Sequence, residues 1–308
     1  MISMGLKAKQ ILVTGARGFV GKHLVEKLRE IGAEVLALDV KGENPIDLRD
    51  WQQVRDFGRT IGKLDLVYHL AALMFVPYSL ENPRQIYEVN VVGTLNILEL
   101  CRLNAVKKLV FASSYVYGSP QHLPVDEVHP LNPANPYARS KVMGEGLCKA
   151  YHEDYGLNCI ILRPFNIYGE GQDDSFLIPS ILKQMASGKV ELMDPEPRRN
   201  FLYISDAIEA YVKAGEYTSA DFEISNIGYG LSHSVDEIAS SMAEAWGQQV
   251  KISYKHLRRR NEIMDVVANI QKANEELGWE PKIDLEMGLK QYIEWYKGRQ
   301  TGTVRSVE

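Results

Sequence analysis

Tyr137 and Lys141 stand four residues apart, a spacing that stacks two side chains on one face of a helix. A free tyrosine titrates at about 10, too high for a base at neutral pH. An ammonium beside it, joined by a positively charged ring, stabilises the phenolate. The tyrosine can then take the proton of a secondary alcohol while hydride leaves the carbinol carbon. Ser113 closes the apolar run KKLVFAS (107–113). Its hydroxyl therefore falls at the carboxyl end of a strand, where ligands bind in open parallel sheets, and can hydrogen-bond the reacting oxygen.

A hydride needs an acceptor, and the N-terminal segment offers a place for one. Gly15-Ala16-Arg17-Gly18-Phe19-Val20-Gly21 links the run QILVT (10–14) to a helical pattern over 18–31. Gly15 permits a tight turn, Gly18 lets the backbone approach a pyrophosphate, and Gly21 lets helix pack on strand. The diphosphate then sits on the amides of the helix N-terminus. Asp39 ends EVLALD (34–39) about 20 residues further on, where a carboxylate binds the ribose 2′-hydroxyl and repels a 2′-phosphate. NAD is the cofactor expected. Arg17 and Lys41 pull toward NADP, which stays open.

The elements that must hold these residues follow from the pattern of apolar runs. Strands are expected at 10–14, 34–39, 65–70, 107–113 and 158–163, and helices at 18–31, 83–103 and 136–155. Continuous Val/Ile/Leu runs between helices mean a parallel sheet covered on both faces. The fold class expected is α/β, a Rossmann-type doubly wound parallel sheet with a smaller mixed α/β substrate domain. Residues 1–165 form the dinucleotide domain, with later segments returning to it, 166–298 the substrate domain and 299–308 a frayed tail. In the second half, helices are expected at 205–215 and 234–246, capped by Ser205 and Ser234, and at 285–296, capped by Asp284.

The 308 residues carry 35 basic and 40 acidic side chains, a net charge of −5. No basic block offers a footprint for nucleic acid or an anionic membrane. No apolar run approaches the ~20 residues of a membrane span. Residues 1–10 lack the apolar core of a signal peptide, so a soluble cytoplasmic chain is expected. Cys101, Cys148 and Cys159 share no metal-binding spacing and the seven histidines are scattered. Reduced thiols and no protein-built metal site are expected.

GARGFVG, HLAA (69–72), EVNVVGT, SSYVYG, NPANPYARSK and RPFNIYG occur in one order along the chain. That ordered set resembles the extended short-chain dehydrogenase/reductase family, and within it the nucleotide-sugar epimerase/dehydratase branch, over residues 11 to about 296. The resemblance implies Ser113, Tyr137 and Lys141 as a catalytic trio, with Lys141 also holding the nicotinamide ribose. It places Asp47 and Leu48 beside the adenine ring, Leu70, Ala71 and Ala72 beneath the cofactor, and Asn90 in the cofactor site with Phe19 and Val20. It implies Asn166, Arg199 and Arg260 on a substrate diphosphate, with Ser114 and Tyr115 at the sugar and a nucleotide-diphosphate sugar as substrate. It also implies a homodimer built from the 83–103 and 136–155 helices.

Dehydratases and decarboxylases of that branch carry an acid just after the catalytic hydroxyl, where this chain has Ser114 and Tyr115. A 4-epimerase and a one-way 4-keto-6-deoxy-sugar reductase remain. The stretch MFVPYSLENP (74–83) resembles epimerases, whereas Arg17 and the short 39–47 segment resemble reductases; the epimerase is preferred. A non-catalytic cofactor-binding protein of the same fold would be expected to lack Tyr137 or Lys141, and both are present.

Overall fold

The apolar runs of the first half become five neighbouring strands of one sheet, with β2 half-exposed at its edge. The computed structural model describes residues 5–219, 221–258 and 262–300. Its first half runs β1 (Gln10–Thr14), α1 (Phe19–Ile31), β2 (Glu34–Leu38), α2 (Trp51–Thr60), β3 (Leu66–His69), α3 (Val76–Glu81), α4 (Pro83–Tyr87), a π-helical turn (Glu88–Val92), α5 (Gly93–Leu103), β4 (Lys108–Ala112), α6 (Pro136–Tyr155) and β5 (Asn158–Pro164). The second half runs β6 (Asn166–Tyr168), α7 (Leu177–Met185), β7 (Lys189–Leu192), β8 (Arg198–Arg199), β9 (Phe201–Tyr203), α8 (Ile204–Glu216), β10 (Phe222–Ile227), β11 (His233–Ser234), α9 (Val235–Trp246), β12 (Lys251–Tyr254), α10 (Gln271–Leu277) and α11 (Leu285–Gln300).

The main sheet has the order β10-β5-β4-β3-β1-β2, with every pair parallel. From β1 the chain goes to β2 on one side and then to β3 on the other. The carboxyl ends of β1 and β3 therefore flank the switch point, the crevice where such sheets bind ligands. Alternate residues of each strand face opposite layers. Ile11, Val13, Val110 and Ile160 pack with Leu24 and Leu28 of α1 and Ala207 and Tyr211 of α8. Leu12, Leu109, Phe111 and Ile161 pack with Val54 of α2, Ile97 and Cys101 of α5 and Cys148 of α6.

Local chemistry sets the helix that carries the site. At α6, Asn135 accepts the Ala138 amide at 2.9 Å, Pro136 fills the first turn and Gly156 closes the helix at φ +68°. Three expectations change. The helix expected at 205–215 starts at Ile204 after Tyr203, so Ser205 sits inside its first turn rather than capping it. α11 continues through Gln300, so Arg299 is helical and only 301–308 of the expected tail lie outside the described residues. The 83–103 helix contains the π turn, because Asn90 is drawn inward by hydrogen bonds given below.

α8 and β10 rejoin the first half, β10 pairing with β5 at the sheet edge. The FEISNI strand is mixed in polarity, and its fully buried Asn226 is satisfied by the Tyr117 hydroxyl and the Val125 carbonyl. Around them β6 pairs β9, β8 pairs β11 and β7 pairs β12, with α7, α9 and α11 packed alongside. Ser234 and Glu237 form the capping box of α9, and Asp284 accepts the Met287 amide at 2.8 Å as α11 begins. No helix among the described residues is long and apolar enough to cross a membrane.

Candidate active site

Gly15 sits at φ +68°, and a side-chain carbon there would stand 2.7 Å from the Ala71 amide nitrogen. At Gly21 such a carbon would stand 2.0 Å from the Gly15 carbonyl oxygen. The glycine turn thus lies directly on the 70–72 segment that follows β3, and Ala71 donates its amide to Thr14 Oγ1 at 3.3 Å. Helix α1 opens with Phe19 and Val20 after Gly18, with no side-chain cap and no acid in its first turn. Amides left without an acceptor at a helix N-terminus suit an anion. Asp39 accepts the Arg17 amide at 2.9 Å and the Lys41 amide at 3.1 Å, which fixes its carboxylate beside the turn. The Arg17 guanidinium leans on Gly42, where a side-chain carbon would come within 2.7 Å of Nε.

Two other expected cofactor residues are held by the protein itself. Asp47 is ion-paired with Arg49 at 2.6 Å, whose hydrogen bonds hold the carboxyl below its usual range. Leu48 is buried and its carbonyl accepts from Asn96 Nδ2 at 2.7 Å. Asn90, buried in the π turn, accepts the Leu73 amide at 2.8 Å and donates to the Leu73 carbonyl at 3.0 Å and to Ser140 Oγ at 2.9 Å. This braces the segment after β3 against α6.

Ser113 follows β4 and is buried, as is Lys141 on α6. Lys141 Nζ donates to the Ala112 carbonyl at 2.7 Å and lies 5.0 Å from the Phe111 ring centre. Burial lowers its pKa to about 8. The Tyr137 ring keeps some exposure, but burial of its hydroxyl pushes the phenol upward and a hydrogen bond with Ser114 works the other way. The Lys141 ammonium is directed at the Ala112 carbonyl. Within the chain alone, Tyr137 is a protonated phenol at neutral pH.

Ser113 Oγ donates to Glu145 Oε1 at 2.5 Å, and Glu145 in turn takes Arg163 Nε at 2.9 Å and Nη2 at 2.6 Å. Neither Glu145 nor Arg163 is assigned a role from the sequence, although Arg163 opens the RPFNIYG motif. Glu145 left one signal, a further step of four along α6, since 137, 141 and 145 share a helix face, whereas Arg163 on β5 left no such spacing. His69, which opens the HLAA motif, is buried between Thr14 Oγ1 at 2.7 Å and Thr94 Oγ1 at 2.9 Å and is pushed by burial to a pKa of about 3, hence neutral.

On the substrate side, Asn166 donates to the Asn200 carbonyl at 3.1 Å. Arg199 donates to the Ile263 carbonyl at 2.6 Å and pairs with Glu262. Tyr115 donates to the Gly118 carbonyl at 2.6 Å, and burial pushes it up to about 12. Arg260 lies outside the described residues. Its neighbour Arg258 pairs with Asp194 at 2.7 Å and with Glu196 at 2.5 Å.

The model of the NAD dependent epimerase/dehydratase family matches residues 11–228. This chain belongs to that family. A putative UDP-glucose 4-epimerase of Methanocaldococcus jannaschii is 38% identical, over 93% of this chain and 98% of that one. Among solved structures, the UDP-glucose 4-epimerase of Thermotoga maritima with UDP-glucose superposes with a TM-score of 0.89 at 30% identity, covering 94% of this chain and 99% of that one. The Thermus thermophilus UDP-glucose 4-epimerase in complex with NAD gives 0.84 at 32% identity, with the same coverage. The chain is thus an enzyme of the NAD-dependent epimerase family. Its residues fit that cofactor: the cradle at Gly15 and Gly21 has no room for side chains, α1 presents uncapped amides, and Asp39 stands at the end of β2.

Proposed function

We propose that this epimerase-family chain interconverts UDP-glucose and UDP-galactose by inverting sugar C4. The observation that carries the reading is the hydroxyl Ser113 after β4, with Tyr137 and Lys141 on the adjoining α6 and no carboxylic acid at 114 or 115. Elimination or decarboxylation would need such an acid, and Tyr115, pushed up to about 12, does not supply it. The full-length likeness to UDP-glucose 4-epimerases supports both the nucleotide and the sugar.

NAD, which the glycine turn, the N-terminus of α1 and Asp39 would hold, would supply a reversible hydride acceptor for C4. The positive ring of the oxidised cofactor would favour the Tyr137 phenolate, as the hydrogen bond with Ser114 does, and in that form Tyr137 takes the proton of the C4 hydroxyl and gives it back. Ser113 hydrogen-bonds the C4 oxygen, and Lys141, anchored on Ala112, holds the nicotinamide ribose. Asn166 and Arg199 hold the diphosphate, which displaces Glu262 from Arg199 by offering a stronger bidentate acceptor. Residues 5–165 with 204–227 serve the cofactor, and the remaining elements of 166–298 cover the sugar nucleotide. The enzyme works in the cytoplasm as a homodimer.

The test is to follow UDP-galactose by NMR and to chromatograph the dinucleotide released when the protein is denatured. Formation of UDP-glucose and about one NAD(H) per chain are expected, since an epimerase must keep its reduced cofactor while the sugar turns. A chain that releases NADP(H) or nothing, leaves UDP-galactose unchanged and reduces a nucleotide 4-keto-6-deoxy sugar would be the one-way reductase instead.

A further inference from the structure

We infer that Glu145, locked in place by Arg163, is a positioning residue for Ser113. The inference rests on the reading of Ser113 as the hydroxyl that meets the C4 oxygen. Glu145 and Arg163 are among the most deeply buried charges of the molecule, with side chains 6% and 3% exposed. A buried ion pair is weak grounds for stability, because desolvation offsets most of its attraction. Its placement here indicates a different use.

Glu145 stands on α6 one turn beyond Lys141, and its Oε1 takes the Ser113 hydrogen at 2.5 Å. Arg163 occupies the same carboxylate through both oxygens. Arg163 is itself held through Tyr117, whose hydroxyl accepts from Nη1 at 2.8 Å and donates to Asn226 Oδ1 of β10 at 2.7 Å. The chain of bonds from the sheet edge therefore ends on Ser113. A serine hydroxyl has one hydrogen, which turns about the Cβ–Oγ bond. Here that hydrogen rests on Glu145 and keeps Ser113 in one rotamer. A sugar oxygen gaining negative charge competes for it. When the hydrogen turns away, Glu145 still has two charge-assisted bonds from Arg163, so no carboxylate is orphaned and the release is easy.

The test is a double-mutant cycle of Glu145→Gln and Ser113→Ala, read as kcat and KM for UDP-galactose, with thermal melting as the check on folding. Glu145→Gln alone should lower kcat about tenfold with KM within about twofold, and should change kcat less than about twofold in the Ser113→Ala background. An equal loss in both backgrounds overturns the inference and leaves Ser113 in its role. A Ser113→Ala enzyme with undiminished kcat overturns the reading of Ser113 itself. The crystal structure of the Glu145→Gln variant gives a readout free of turnover: Ser113 Oγ spread over two rotamers is expected, and a single unchanged rotamer refutes the anchor. Should that variant not fold, Glu145→Asp keeps a charge for Arg163 but withdraws it one methylene from Ser113, and is read for the same two outcomes.

Discussion

At Tyr137 two effects oppose each other: burial holds the phenol protonated, and the hydrogen bond with Ser114 favours the phenolate. Replacing Tyr137 with Phe removes only the hydroxyl. Turnover should fall by about three orders of magnitude, within the range for loss of a general base, while the NAD(H) released on denaturation stays at about one per chain. Persisting turnover would mean that another group moves the proton. Lys141 makes a second prediction because burial brings it from 10.5 to about 8. Its ammonium is lost as pH rises through about 8, so kcat should decline above that value. Stability runs the opposite way. Between about pH 8 and 10.5 the unfolded chain binds a proton that the folded chain has released, so the contribution of Lys141 to stability rises with pH across that window. Below it, the cost of burying the charge is borne in full. A kcat that stays level to pH 10, in parallel with urea titrations, would remove the ammonium from the mechanism.

The elements that seat the cofactor are set by contact distances no side chain can enter. Gly21→Ala puts a carbon on the Gly15 carbonyl, where backbone meets backbone and nothing flexible can yield. The expected outcome is loss of bound NAD and destabilisation of about 1–3 kcal/mol, typical of overpacking. Gly156, at the end of α6, has φ +68° but open space around it. Gly156→Ala should cost about 1 kcal/mol through backbone strain alone and leave turnover and NAD content unchanged. Equal effects on NAD from the two substitutions would show that the cradle is not selective. The glycine spacing was legible in the sequence because each glycine answers a local need. Its partner at Ala71 was not, since that contact depends on β3 lying beside β1.

For the whole molecule, the proposed homodimer has a candidate face. Val92, Leu95 and Met143 are exposed on the π turn, α5 and α6, and Tyr87, Val91, Val92 and Met143 line a shallow apolar depression. Met143 lies two residues from Lys141, hence on the other side of α6 from the site. Light scattering should give twice the chain mass of 34.8 kDa, and Met143→Arg should shift the population to monomer without altering the NAD cradle. A monomeric parent chain at micromolar concentration would refute the dimer.

Sequence alone determined the parts whose signal is local. Apolar runs placed β1 to β5, the turn glycines placed the start of α1, and four-residue spacing joined Tyr137 to Lys141. It also excluded an acid at 114 and 115. Tertiary structure decided what depends on partners distant along the chain. It returned β10 to the sheet edge, drew Asn90 inward onto Leu73 to leave a π turn, turned the Lys141 ammonium to Ala112 and set Glu145 and Arg163 behind Ser113. A hydrogen-bond partner 18 or 32 residues away leaves no period in the sequence; it is chosen by which strands lie side by side.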